Sequence, residues 1–149
     1  MLYFEDIDIG MRQASPAAYT VTKQEIIEFA QNWDPMPFHI DEAVAEQSPI
    51  GKLFASSIHT IALGVKLSHS IQSMDLAVIA GLGWQDVRFP HPVCAGDTLR
   101  VETEVLDKRE SRSKPDRGIM TTEIRIINQD DILCASYSII NLVFRRPQQ

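Results

Sequence analysis

Leu53–Gln72 reads LFASSIHTIALGVKLSHSIQ, and the nature of this stretch decides the fold. From Ile58 to Leu67 the apolar residues Ile58, Ile61, Ala62, Leu63, Val65 and Leu67 surround most of a helix circumference. A helix that is apolar nearly all round is one that the rest of the protein encloses. Upstream of it the pattern is also helical. Thr22 and Glu25 make a capping box, Ile26, Phe29 and Ala30 follow at helical spacing, and the run stops at Trp33 because Pro35 pushes Asp34 out of the helical region. Asp41–Gln47 reads as a second, short helix with acids at its positively polarised start.

Beyond about Leu76 the period changes to two. Leu99, Val101, Thr103 and Val105 alternate with Arg100, Glu102 and Glu104, the signature of a half-buried strand. Met120, Thr122, Ile124 and Ile126 repeat it, Asn128–Asp131 reads as a hairpin turn, and a last long strand runs from Ile132 to about Arg145. Helices followed by strands on short turns predict α+β with an antiparallel sheet, here about five curved strands wrapped around one long central helix. The final strand is expected to offer an unpaired edge.

The chain has 149 residues, 44% hydrophobic and 23% charged, which suits one domain over residues 1–149 with a core it can fill unaided. No apolar run approaches the ~20 residues that cross a bilayer. The start, MLYFEDIDIG, is acidic and lacks an apolar signal core, so the cytoplasm is the expected location and no membrane partner is expected. Cys94 and Cys134 lie in apolar stretches and read as buried free thiols. With no CxxC and no HExxH, no metal is expected. A net charge of −6 argues against a nucleic-acid partner. The segment 108–117, KRESRSKPDR, is a local exception: either a solvated hairpin loop or a patch that meets an anionic ligand such as a phosphorylated cofactor.

Two stretches carry titratable groups or open donors in a form suited to chemistry. Asp34–Asp41, DPMPFHID, places an acid and a histidine in a segment stiffened by two prolines. A carboxylate and an imidazole are the usual means of moving protons near neutral pH. Five extended residues span ~16 Å, so a bend between Met36 and His39 is needed to bring them together. Asp41 reads as the cap of the next helix. The second stretch is Ala55–Ile58, where the central helix begins and free backbone N–H groups can hold a developing oxyanion. Ser56 or Ser57 reads as its N-cap; no GxSxG makes either a nucleophile. His59 reads as a structural histidine, and His69 and His91 have no obvious partners. Trp84 reads as a packing residue of a strand.

These residues, DPMPFHID, GKLFASSIHT and GWQDVRFPHPVCAGDTLRVETEVLDKRESRSKPDRG, together resemble the MaoC-like dehydratases of the hotdog superfamily, which include the (R)-specific enoyl-CoA hydratases. The likeness runs from the first long helix to the final strand. The stretch PVCAGDTLRVETEVL speaks mainly to the fold, and Asp-x4-His followed by x5-Ala, here Ala45, speaks to the hydratase branch. The resemblance implies a hotdog fold whose catalytic loop overhangs the start of the central helix. It implies that Asp34 and His39 form the proton-transfer pair, that the Ser57 N–H is the oxyanion donor, and that the chain pairs as a homodimer or dimer of dimers. It implies a coenzyme A thioester as substrate, with no separate cofactor. Arg109, Arg112, Lys114 and Arg117 are then candidates for its phosphates. The chain departs from the family pattern at three places: Met36 stands where the family has asparagine, Trp33 where it has glycine, and Ser56-Ser57 where it has His-Gly. Hydration of an enoyl-CoA is therefore the leading expectation. A hotdog thioesterase and a non-catalytic acyl-CoA-binding or assembly subunit are the alternatives.

Overall fold

A computed structural model describes residues 1–71 and 75–148. A 3-10 turn (Phe4–Asp6) is followed by β1 (Arg12–Ala14), β2 (Tyr19–Thr20), α1 (Lys23–Trp33), α2 (Pro37–Ile40), α3 (Glu42–Gln47) and α4 (Ser57–Ser68). Four long strands complete the chain: β3 (Val78–Arg88), β4 (Thr98–Glu110), β5 (Arg117–Ile127) and β6 (Leu133–Phe144). All pairings are antiparallel, in the order β1-β4-β5-β6-β3, and β2 adds to β4.

The alternation read in the sequence is the burial pattern of the sheet. Leu99, Val101, Thr103 and Val105 of β4 and Met120, Thr122, Ile124 and Ile126 of β5 are all buried. Their inner faces pack with Tyr137 of β6 against Leu63 and Leu67 of α4 and Ile26 of α1. The helix lies so close to the sheet that a Cβ on Gly64 would come within 2.5 Å of Ile126 Cδ1 and 3.1 Å of the Tyr137 hydroxyl. The absence of a side chain at Gly64 is what permits this approach. Asn128 closes the β5–β6 turn, its Oδ1 accepting from the N–H groups of Asp130 and Ile132, with Asp131 at φ 59°. Cys134 is buried, Cys94 half-buried, and both are free; burial pushes the Cys134 thiol up to about 11.

Two expectations are corrected. The final strand β6 is not an edge, because β3, the strand that follows the central helix, pairs along it; the edges are β3 and β1. Nor does one chain enclose α4. The sheet covers the face bearing Leu63, Gly64 and Leu67, and the opposite face leaves Ile58 56% and Val65 39% exposed, with Ala62 exposed between them. Trp84 stacks on Tyr137 at 5.3 Å yet stays 51% exposed, so its packing is one-sided.

Candidate active site at the start of the central helix

The loop at Asp34 is built by local rules. Thr22 and Glu25 cap the start of α1 reciprocally, as expected. At its other end Asp34 leaves the helical region, while its N–H still donates to the Ala30 carbonyl. Pro37 then opens the single turn α2, a favoured position because its missing N–H is not needed there. This turn is the bend that spacing alone could not supply. It brings His39 Nε2 to 3.6 Å from Asp34 Oδ2. Asp41 accepts from the N–H groups of Ala43 and Val44 and so caps α3, whose buried Ala45 lets it settle on the core.

The imidazole is held on several sides. His39 is buried, and its ring meets Phe38 and Phe54 edge-on at centroid distances of 4.7 and 4.8 Å. Its Nδ1 lies 2.8 Å from the Phe54 carbonyl oxygen. A carbonyl can only accept, so Nδ1 carries a proton and Nε2, facing Asp34, is the nitrogen that gains or loses one. At 3.6 Å, His39 Nε2 and Asp34 Oδ2 are too far apart for a strong mutual hydrogen bond. Both remain able to act on a third group between them.

Ser56 completes the arrangement in a way the sequence did not suggest. It occupies the N-cap position of α4, but its side chain makes no cap hydrogen bond. Instead its hydroxyl, fully buried, donates to Asp34 Oδ2 at 2.6 Å. The capping assignment rested on the commonest use of serine, and it fails because the Asp34 loop brings a charged acceptor within reach. The contact spans 22 residues, so no local spacing could have revealed it. Ser57, exposed, is the first residue of α4, where the helix leaves backbone N–H groups without intrahelical partners.

Beside Ser57 opens a cleft of about 180 Å³ lined mainly by Phe54, Ala55, Thr60, Phe89, Val93 and Cys134. His91 also lines it, with Nδ1 2.8 Å from its neighbour Pro92's carbonyl. An apolar cleft at a helix start, next to Phe54 and Ser56 that hold His39 and Asp34, can seat a short acyl group against open N–H donors. His59 lies in the first turn of α4, buried and stacked on Phe29 at 4.4 Å, and burial lowers its pKa. His69 ends α4 in an exposed position. Met36 is exposed and its side chain forms no cap to α2.

The basic segment is a hairpin connecting β4 to β5, and one chain does not bring it to this cleft. It lies at the opposite end of strands that run roughly 40 Å in contour, on a rise of ~3.3 Å per residue. Arg117 is engaged by Asp116 at 2.7 Å, whereas the side chains of Arg109, Arg112 and Lys114 make no hydrogen bond or ion pair among the described residues. Lys114 acts on Asp116 only through its field.

Comparison with known proteins agrees with this architecture. Residues 6–125 match the family model described as MaoC like domain. The crystal structure of a MaoC-like dehydratase from Rhodospirillum rubrum is 38% identical, with a TM-score of 0.91 over 99% of this chain and 100% of that one. The 3-hydroxyacyl-thioester dehydratase Z of Mycobacterium tuberculosis is 27% identical over 83% of each chain. A second Mycobacterium tuberculosis protein, described as a double hotdog fold, is 20% identical and superposes with a TM-score of 0.76 over 99% of this chain and 46% of its own. With its antiparallel sheet and a central helix on one face of it, the chain has a hotdog fold and belongs to the MaoC-like family.

Proposed function

We propose that this chain catalyses the reversible addition of water to a 2-enoyl-CoA thioester, giving a 3-hydroxyacyl-CoA. The observation that carries the reading is the placement of Asp34 Oδ2 3.6 Å from His39 Nε2, with both side chains held by residues just before α4: Ser56 on Asp34 and the Phe54 carbonyl on His39. In the forward direction the water oxygen bonds to C3 and one water proton passes to the Asp34/His39 pair. The C2=C3 electrons move toward the thioester, whose oxygen becomes enolate-like, and a proton from the pair then reaches C2. The net change is one water added. The Ser57 N–H at the start of α4 would stabilise the developing oxyanion, as helix-start donors do. Ser56 would hold the Asp34 carboxylate in place.

The named activity of the Mycobacterium tuberculosis dehydratase supports this chemistry at 27% identity. The exposed apolar face of α4 supports a homodimer. The reading places the enzyme in cytoplasmic fatty acid metabolism, with the coenzyme A thioester as its substrate. Enoyl-CoAs of several chain lengths test it. Loss of the conjugated double bond without release of free thiol is expected. Release of free CoA would make the chain a thioesterase instead, and no turnover of any acyl-CoA would favour a binding subunit.

A further inference from the structure

Thr60 and His91 both line the cleft beside Ser57, and neither has a part in the proton transfer proposed above. His91 is half-buried and set between Pro90 and Pro92 just after β3, so its backbone has little freedom. The segment that follows is laced to the approach of α4. The Ala55 N–H donates to the Val93 carbonyl, the Ala95 N–H donates to the Leu53 carbonyl, and Phe54 bridges to Cys94. The imidazole therefore stands in a fixed wall of the cleft.

Its two nitrogens differ. Nδ1 lies 2.8 Å from the Pro92 carbonyl oxygen, which can only accept, so Nδ1 carries a proton. Nε2, on the far side of the ring, makes no hydrogen bond or ion pair among the described residues. In the neutral ring it is a bare acceptor.

Thr60 is only 3% exposed, yet its hydroxyl is uncommitted. A serine or threonine inside a helix can return its hydroxyl to the carbonyl one turn back, as Ser68 does to Gly64 at 2.8 Å. Thr60 makes no such bond among the described residues; only its N–H reaches the Ser56 carbonyl. Nor is its oxygen sealed in the core, as the partnerless hydroxyls of Thr122 and Tyr137 are. The open space that Thr60 lines is the cleft, and there its hydroxyl is available.

The walls around these two groups are otherwise mainly apolar, and the Cys134 thiol is already turned to the Ile132 carbonyl. A buried hydroxyl and a bare imidazole nitrogen in such walls cost free energy unless they are bonded. A plain alkyl chain would strand both. A carboxylate would lack a fixed cation, because no lysine or arginine lines the cleft among the described residues. A hydroxyl satisfies both at once, donating to Nε2 and accepting from Thr60. The cleft of about 180 Å³ compares with the ~150 Å³ cavity that accommodates benzene, so the chain it suits is short.

Resting on the enoyl-CoA reading, we infer that the acyl group this site prefers is short and carries a hydroxyl on a carbon beyond C3, received by His91 Nε2 and the Thr60 hydroxyl. The two residues set specificity and stand apart from the reacting carbons.

The test is calorimetric binding of saturated thioesters, which cannot be hydrated. The 4-hydroxybutanoyl, 5-hydroxypentanoyl and 6-hydroxyhexanoyl thioesters of CoA are each compared with the alkanoyl-CoA of equal heavy-atom count. At least one hydroxyacyl-CoA should bind about 10-fold or more tighter than its alkyl counterpart, as expected of a site built to bond a hydroxyl. Thr60→Val keeps the side-chain shape and His91→Phe keeps a ring; each should abolish most of that preference. His91→Gln, which retains an acceptor, should keep part of it. Because the preference is a ratio within one variant, a general loss of stability cannot imitate its disappearance. Equal or weaker binding of all three hydroxyacyl-CoAs, a preference undiminished in both Thr60→Val and His91→Phe, or tighter binding of glutaryl-CoA would overturn the inference. Hydration of the matching enoyl-CoAs separates it from the reading it rests on. Hydration with no preference for the hydroxyl overturns this inference alone. A preference in binding with no hydration of any enoyl-CoA overturns the hydratase reading and leaves the recognition standing, and no binding of any thioester overturns both.

Discussion

The Ser56 hydroxyl donates to Asp34 Oδ2 at 2.6 Å, tying the first residue of the Asp34–Asp41 segment to the residue that precedes the central helix. The same oxygen faces His39 Nε2 at 3.6 Å. One carboxylate oxygen is thus fixed in position by a buried donor while remaining within reach of the imidazole.

Ser56→Ala removes that donor and adds no bulk. A hydrogen bond to a charged group is worth ~1.5–3 kcal/mol, so kcat should fall by about 10-fold or more if the carboxylate must be held to react. KM should change little, because Ser56 is fully buried and does not face the cleft beside Ser57. Steady-state kinetics with one enoyl-CoA checks this. An unchanged kcat would reduce the contact to a structural one.

Gly64 marks the closest approach of α4 to the sheet. Gly64→Val places branched carbons against Ile126 and the Tyr137 hydroxyl, and overpacking of this kind costs about 1–3 kcal/mol. For a chain of this size that corresponds to a Tm lowered by roughly 2–12 °C. A thermal melt showing no loss would mean that the helix can move off the sheet freely.

The sequence made the helix order, the capping box, the Asp41 cap, the β4 and β5 alternation and the Asn128 turn legible, because each is set by neighbours or by a short period. It also marked Asp34 and His39, although only the turn at Pro37 brings them together. What it could not show depends on contacts between distant segments. Ser56 looked like a helix cap until the Asp34 loop was seen beside it. The edge was assigned to β6 because strand order in a sheet is not written in strand periodicity. The apolar run of α4 was read as full enclosure, whereas a periodicity cannot say whether the covering surface belongs to the same chain.

The open face of α4 gives a prediction about assembly. Val65→Glu adds a charge to a stripe that a second copy would bury, so the variant should dissociate at concentrations where the wild type is dimeric. Light scattering behind size exclusion measures it. Equal masses for both proteins would remove this face from the interface.

His59 should leave a signature in stability against pH. Burial lowers its pKa in the folded protein, with Glu25 opposing weakly. As pH falls through ~6.5, the unfolded chain takes up this proton before the folded chain does. The folded state therefore loses stability below about pH 6.5, until His59 itself becomes protonated in the fold. His59→Phe keeps an aromatic ring against Phe29 and removes the titration. Its urea midpoint should depend less on pH between 7 and 5 than that of the wild type; an identical slope would exclude His59 as a source.

Whether Asp34 and His39 move the protons of hydration is read from the rate of enoyl-CoA hydration in wild type, Asp34→Asn and His39→Ala, followed by loss of the conjugated double bond with free thiol measured in parallel. Hydration without thiol release is expected, with kcat lowered on the order of 10² or more in each variant. Undiminished hydration by either variant, or thiol release in place of hydration by the wild type, would contradict it.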